Sequence, residues 1–142
     1  MTALKKHEAI GNTFGNHVEY KRVRYDFTKD AGAVGALDIF TASDKVKVVD
    51  FHSTVKTACT SGGSATVAVG PTGALTKFLT ATQGAVANLV ANACLTPLPV
   101  EGTPNVLAFP HIMAAGDKII QTIGTAALTA GSIEYTVGFI RC

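Results

Sequence analysis

Short runs of alternating apolar and polar residues, separated by corners rich in glycine and serine, fill the first half of this chain and restrict it to β-structure. They are clearest in residues 24–70, RYDFTKDAGAVGALDIFTASDKVKVVDFHSTVKTACTSGGSATVAVG. Successive side chains of a strand point to opposite faces, so a period of two predicts strands with one buried face. Corners at this spacing favour antiparallel strands packed as a sandwich.

The alternation predicts a first strand in which Val23, Tyr25 and Phe27 face one way and Arg24 and Asp26 the other. A turn is expected over residues 29–32. Further strands are predicted over residues 34–40, 46–55, 55–60, 65–69, 106–109, 118–123 and 133–139.

Local breaks in these patterns predict how the strands are joined. The apolar face changes between Val48 and Val49, which predicts a β-bulge there. The Ser-Gly-Gly sequence at residues 61–63 predicts a β-hairpin between the strands on either side. Ala130-Gly131 predicts a turn into the last strand.

One stretch has helical spacing. Apolar residues recur every three or four positions after Pro71, which predicts a short helix before Gly84, because a glycine in mid-helix costs about 1 kcal/mol. The apolar positions are Leu75, Phe78, Leu79, Val86, Leu89 and Val90.

The length of 142 residues fits one domain with its own core. Residues 1–17 contain four Gly and Asn residues and little periodicity, which predicts an extended N-terminal arm; residues 18–142 are predicted to form a single β-rich domain. The fold class expected is therefore mainly β, an antiparallel β-sandwich or jelly-roll-like barrel with this arm and one short helix.

The chain is poor in charge, with 15% charged residues against about 25% in typical soluble domains. This suggests a surface partly covered by neighbouring molecules, although threonine, serine and glycine could equally supply a neutral solvated surface. The net charge is +3 over residues 1–24 and −1 over residues 25–142, so the basic character belongs to the N-terminal arm. Such an arm suits an acidic partner surface or a solvated terminus.

Three widely spaced cysteines are interpreted as reduced thiols, which points to intracellular folding and assembly. Cys59 and Cys94 are expected in the core, and Cys142 is expected to be a terminal thiol. Neither a secretory leader nor an apolar stretch of about 20 residues occurs, so neither secretion nor a membrane partner is expected.

The sequence predicts no metal site. The four histidines are scattered, and no two have the spacing that would place both imidazoles on one strand face or helical turn. They are His7, His17, His52 and His111. Asp26 and Asp30 lack the regular ligand ladder of a calcium loop and are interpreted as turn carboxylates.

Catalytic and cofactor-binding residues are not predicted either, so the expectation is a protein that is not an enzyme and has no cofactor. Ser61 and Ser64 flank two glycines without a G-x-S-x-G pattern, and no nucleotide-binding loop is present. Tyr20 interleaves with Lys21, Arg22 and Arg24, a composition that could stack bases. One such cluster favours an edge strand or an arm with solvated charges, so nucleic acid is not expected as a partner.

Five short segments together resemble small virion proteins of tailed bacteriophages. They are YDF at 25–27, GAVG at 32–35, TA at 57–58, SGGSATVAVG at 61–70 and LTAG at 128–131. The resemblance implies a capsid decoration, or cement, protein: a head structural protein that sits on the shell as a homotrimer and bridges neighbouring capsomers. Residues 80–111 depart from the pattern, and no role is transferred to them.

The resemblance implies the major capsid protein and the chain itself as partners, and the capsid surface of a virion assembled in the host cytoplasm as the location. The basic arm would then meet an acidic groove of the shell. The candidate contact residues are Lys5, Lys6, Lys21, Arg22 and Arg24.

Two other classes of protein remain as alternatives. A head or tail fibre knob could use the same β-module to recognise a host surface ligand, but the chain has no Trp and 7% aromatic residues. A small hydrolase would need a convergent acid, base or nucleophile, and the sequence offers none.

Overall fold

The computed structural model describes residues 17–97 and 109–142, and these form eight strands. The strands are β1 (Glu19–Asp26), β2 (Gly35–Thr41), β3 (Val46–Ser61), β4 (Thr66–Pro71), β5 (Cys94–Leu95), β6 (His111–Met113), β7 (Lys118–Gly124) and β8 (Leu128–Arg141). One short helix, α1 (Phe27–Asp30), and a 3-10 turn at Val86–Asn88 complete the regular structure of these residues.

The strands make two antiparallel sheets that pack face to face. Sheet A has the order β1-β8-β3, with β5 and β6 both paired to the far edge of β3. Sheet B has the order β2-β7-β4. The mainly β fold and the sandwich predicted from the sequence are confirmed, and one short helix is present, although at a different place in the chain from the one predicted.

The core lies between the two sheets and is built from the predicted alternation. The fully buried side chains of β8 are Ile133, Tyr135 and Val137, and they face Ile119 of β7 and Val67 of β4 in one apolar cluster. Phe51 of β3 stacks on Phe78 and on Tyr135, with ring centroids 5.0 and 5.9 Å apart. Aromatic contacts of this kind add to the stabilisation from burial.

The bulge predicted at Val48 is confirmed. Val48 pairs with Phe139 and Asp50 pairs with Gly138, so Val49 has no opposing residue. The extra residue moves the buried positions from Val48 to Phe51, and both faces of the strand keep their pattern.

The predicted hairpin at residues 61–63 is wrong. β3 belongs to sheet A and β4 to sheet B, so the Ser-Gly-Gly corner carries the chain from one sheet to the other. Residues 46–55 and 55–60 are likewise one strand, β3, instead of two. A local Ser-Gly-Gly signal marks a change of chain direction, but it carries no information about which sheet the next strand joins.

The predicted helix before Gly84 is also wrong, because this segment pairs with sheet edges instead. Val69 exchanges backbone hydrogen bonds with Leu79, and the Val67 amide donates to the Gly84 carbonyl at 2.8 Å. Further along, the Cys59 amide donates to Leu89 at 2.9 Å. Residues 78–95 therefore run along β4 and then β3 and close this side of the sandwich. The apolar spacing reflects buried Phe78, Leu79 and Leu89.

The helix forms instead where a turn was expected. The Asp26 side chain accepts a hydrogen bond from the Thr28 amide at 3.0 Å and caps α1. These hydrogen bonds from Thr28 also lower the pKa of Asp26.

Two smaller expectations change as well. Ala130 and Gly131 lie inside β8, where Gly131 has φ 128° and packs against Cys59, so they form an irregularity in a strand and not a turn. Cys59 is buried as expected, but Cys94 is exposed because β5 is an edge strand. The strand predicted at 106–109 falls almost wholly outside the described residues, as do residues 1–16 of the predicted arm.

None of the helices in the described ranges has the length and apolar character needed to span a membrane.

Substituting Gly84 tests the close approach of the closing segment to β4. A Cβ at this position would lie 1.7 Å from the Val67 carbonyl oxygen, so Gly84→Ala must push the segment away from the sheet. We expect the free energy of unfolding to fall by about 1–3 kcal/mol, as for other overpacked sites. Chemical denaturation measures this change.

Gly62→Ala is the matched control, because a Cβ at Gly62 meets nothing within 4 Å. Equal stability of the two variants would contradict the close packing of residues 78–95 on β4.

Candidate assembly surfaces

The described members of the basic cluster all lie on β1, which is an edge strand of sheet A as the sequence predicted. They are Lys21, Arg22 and Arg24, and all three are exposed. Lys5 and Lys6 belong to residues 1–16, outside the described part of the chain.

The structure does not bring these three basic residues onto one face. Lys21 shares the inward side of β1 with Val23 and with Tyr25, which is buried. Its ammonium lies 5.7 Å from the ring centroid of Phe40 in β2, within the range of a cation–π contact. Arg22 and Arg24 point to the opposite side. The basic cluster seen in the sequence is therefore divided: Lys21 contacts Phe40, and the two arginines face outward.

The outward side of sheet A, which we call outer face A, is a polar surface built on small residues of its middle strand. Its members from β1, β8 and β3 are Tyr20, Arg22, Arg24, Ser132, Glu134, Thr136, Gly138, Asp50, His52 and Thr54. A Cβ on Gly138 would lie 2.8 Å from the Tyr20 ring and 3.0 Å from the Asp50 Cβ, so glycine allows these side chains to meet across β8. Ser132 and Thr136 are buried beneath their neighbours.

Charges on outer face A are only partly paired. Lys56 lies 4.0 Å from Glu134, and His52 lies 3.8 Å from Asp50. Arg24 donates a hydrogen bond to the Ser132 hydroxyl at 3.2 Å. Among the described residues, neither Arg22 nor Arg24 has a carboxylate within ion-pair distance. Both guanidinium groups therefore remain available to a second molecule.

A second surface, which the sequence analysis did not identify, lies at β2, the edge strand of sheet B. Val34 is 59% exposed and Leu37 is 37% exposed, and Gly35 and Ala36 between them are also exposed. The sequence signal was available: residues 31–37, AGAVGAL, contain no polar side chain. Edge strands usually carry charges or proline that prevent pairing with other chains, and this stretch has neither.

Beside this edge is a depression of about 200 Å³ lined by Tyr25, Asp30, residues 33–37, Gln121 and Ile123. The Gln121 side chain is 1% exposed, and its Oε1 accepts a hydrogen bond from the Tyr135 hydroxyl. Its Nε2 has no acceptor among the described residues. The Tyr25 hydroxyl donates to the Ala31 carbonyl at 2.7 Å, which holds the chain leaving α1 against the sandwich.

Burial shifts the pKa values of two titratable side chains that pack against the core or its edge. Burial raises the pKa of the Cys59 thiol to about 11, so the thiol stays protonated and is a poor nucleophile. Burial, together with the nearby Lys77 ammonium, lowers the pKa of His111; the Lys77 Nζ lies 2.9 Å from His111 Nδ1. The described residues contain no group of three or more His, Cys, Asp or Glu side chains that could hold a metal ion.

Comparison with known proteins gives a match in structure and none in sequence. No protein-family model and no curated protein matches this chain. Two solved structures do. The fold is one found in bacteriophage capsids.

The first match is a chain of the structure titled "Cyanophage Pam1 capsid asymmetric unit", with a TM-score of 0.60 and 18% sequence identity over 93% of this chain and 90% of the other. The second is a chain of the "Acidic stable capsid structure of Helicobacter pylori bacteriophage KHP30", with a TM-score of 0.59 and 11% identity over 89% of each chain. At these identities the similarity establishes the shared fold, and it spans nearly the whole of all three chains. The resemblance to phage head proteins is thereby confirmed at the level of the fold.

The buried Tyr135–Gln121 pair between the sheets can be tested by substitution. Tyr135→Phe removes the hydroxyl and leaves Gln121 Oε1 without its donor inside the core. We expect it to lower the free energy of unfolding by about 1–3 kcal/mol, the cost of an unsatisfied buried polar group. Urea denaturation measures the loss.

The double variant Tyr135→Phe with Gln121→Leu distinguishes this cause from simple loss of packing. It removes both polar partners and should be more stable than Tyr135→Phe alone. A double variant that is further destabilised would show that the Gln121 amide has another role.

Proposed function

We propose that this protein is a virion structural protein that decorates and stabilises a bacteriophage capsid by bridging neighbouring capsomers. The observation that carries the proposal is the fold, which is shared over 93% of the chain with a component of the Pam1 capsid. Its partners would be the major capsid protein and further copies of itself, as a homotrimer on the capsid surface. Assembly would take place in the host cytoplasm, where free thiols persist.

The described surface supports a structural role over catalysis. The interior thiol has a raised pKa, and the described residues offer no metal-ligand group. Two sheet edges and an outward face with unpaired arginines are features of a molecule that contacts other proteins. A chain with 15% charged residues fits close packing among many copies.

Contact with the shell is proposed for the five basic residues Lys5, Lys6, Lys21, Arg22 and Arg24. The described part of the chain starts at His17, next to the β1 edge that carries Lys21 and Arg22. An acidic groove on the shell would attract such an arm and orient it as it docks. Ordering the arm on binding costs conformational entropy, so each single contact would be modest.

Several modest contacts can still hold the protein firmly. When one subunit of an oligomer has docked, the other subunits are held near their own sites at a high effective concentration. A trimer spanning neighbouring capsomers would thereby resist their separation without any single strong site.

Copy number in purified particles tests this function directly. We expect quantitative mass spectrometry of gradient-purified virions to find the chain at an abundance comparable to that of the major shell protein, because cementing requires one position per group of capsomers. A few copies per particle would favour a fibre or knob role instead. Absence from particles would refute the proposal.

Deletion of residues 1–17 tests the arm. The described sandwich from β1 to β8 lies entirely outside this segment, so the truncated protein should fold and self-associate normally. We expect it to lose binding to undecorated shells in a co-sedimentation assay. As a control, Lys77→Glu alters a cation on the opposite side of the sandwich and should leave shell binding unchanged. Truncated protein that still decorates shells would contradict a role for the arm.

A further inference from the structure

We propose that copies of this protein associate by antiparallel pairing of β1 from one copy with β2 from the next, so that sheet A of each copy continues into sheet B of its neighbour. The number of copies in the resulting ring, three, rests on the proposed function. The pairing itself rests on the two free strand edges, their directions and their charges.

The sandwich is closed on one side and open on the other. On the closed side, residues 78–95 pair with the edges of β4 and β3, through hydrogen bonds such as Val69 to Leu79 and Cys59 to Leu89. On the open side lie β1 and β2. Within residues 17–97 and 109–142, no strand pairs with the outer edge of either one. Both edges therefore present unused backbone donors and acceptors.

The directions of the two strands suit pairing between copies. The start of β1 lies near the end of β2, because Lys21 contacts Phe40 and because Phe139, which pairs with Glu19, lies 5.4 Å from Phe40 by ring centroids. β1 and β2 of one copy thus run in opposite directions. A rotation axis parallel to the strands preserves strand direction, so it places β1 beside a neighbour's β2 in the antiparallel orientation.

The charges of the two edges favour pairing of β1 with β2 over pairing of β1 with β1 or of β2 with β2. β1 carries Arg22 and Arg24 on its outward side, and neither has a carboxylate partner among the described residues. β2 carries Asp38 on the outward side of sheet B, where it pairs with Lys118 at 2.6 Å. Two β1 edges would bring four arginines into one short ladder, and two β2 edges would bring two aspartates together. Pairing β1 with β2 joins opposite charges.

The lengths and side chains of the strands agree with this arrangement. β1 has eight residues and β2 has seven, and aligning their centres places Arg22 close to Asp38 of the neighbour. The pairing also covers Val34 and Leu37, the exposed apolar residues at and just before the start of β2. Of the five basic residues proposed to contact the shell, Arg22 is the one that this pairing assigns to the neighbouring copy.

The pairing joins two different edges, so it is heterologous and builds a ring when the rotation closes. Because β1 and β2 lie on the same side of each sandwich, the open sides of all copies face a common axis. At each junction, sheet A of one copy then lies on one side of the paired strands, and sheet B of the next copy lies on the other side. This geometry leaves the closed side, with residues 78–95, at the periphery of the ring.

A charge exchange in the full-length protein tests the pairing. We expect the wild type to have three times the 14.7 kDa mass of one chain by light scattering and native mass spectrometry at low ionic strength. Arg22→Glu places an acid opposite Asp38, and Asp38→Lys places a base opposite Arg22, so each single variant should shift to the mass of one chain. The double variant Arg22→Glu with Asp38→Lys restores opposite charges and should recover the mass of three.

Circular dichroism and thermal unfolding check that each variant is folded, since both positions are exposed. Lys77→Glu, a charge reversal on the closed side, should keep the wild-type mass. A monomeric wild type, single variants that stay trimeric, or a double variant that stays monomeric would each overturn the pairing. Particle abundance tests the proposed function independently of this pairing. Variants that lose the trimer but are still incorporated into virions at high copy would show that the two can be distinguished.

Discussion

The antiparallel ladder between β3 and β8 is the interaction on which the rest of the structure depends. These are the longest strands, with 16 and 14 residues, and they pair from Val46 with Arg141 to Ser61 with Leu128. The ladder supports β1 on one side and β5 and β6 on the other. Its inward residues, Phe51, Val55 and Tyr135 among them, belong to the apolar cluster on which sheet B packs. Without this ladder neither sheet edge would have a defined position.

The two sides of this ladder are finished differently, and the difference determines how the molecule can associate. Residues 78–95 protect the edges of β3 and β4 with the chain's own backbone, and Gly84 allows that segment to approach Val67. The edges of β1 and β2 have no such cover among the described residues. Unprotected edges favour association with further chains, and a protein that functions in many copies can use this property where a monomer must avoid it.

The sequence predicted whatever depended on neighbouring residues along the chain. The alternation of β8 and the bulge at Val48 were readable because side-chain direction follows directly from strand geometry. The pairing of distant segments was not readable. The corner at residues 61–63 looked like a hairpin, and Phe78, Leu79 and Leu89 looked helical, because burial against a sheet edge produces an irregular apolar spacing that resembles a helical one. The division of the basic cluster follows from local geometry, because Lys21 and Arg22 are adjacent in sequence and therefore lie on opposite faces of a strand.

That division of the basic cluster links the two levels of assembly. Lys21 contacts Phe40 at the open rim of its own sandwich, which leaves its charge with little freedom to seek a distant partner. Arg22 lies at the edge where a neighbouring copy would pair. Under the proposed function, contact with a shell would rest on Lys5 and Lys6 together with the basic residues of β1. An oligomer built by strand edges near one axis would bring the starts of β1 from all copies to the same end of the ring. Self-association would in this way set the number of arms that meet the shell together, and that number determines how strongly modest contacts combine.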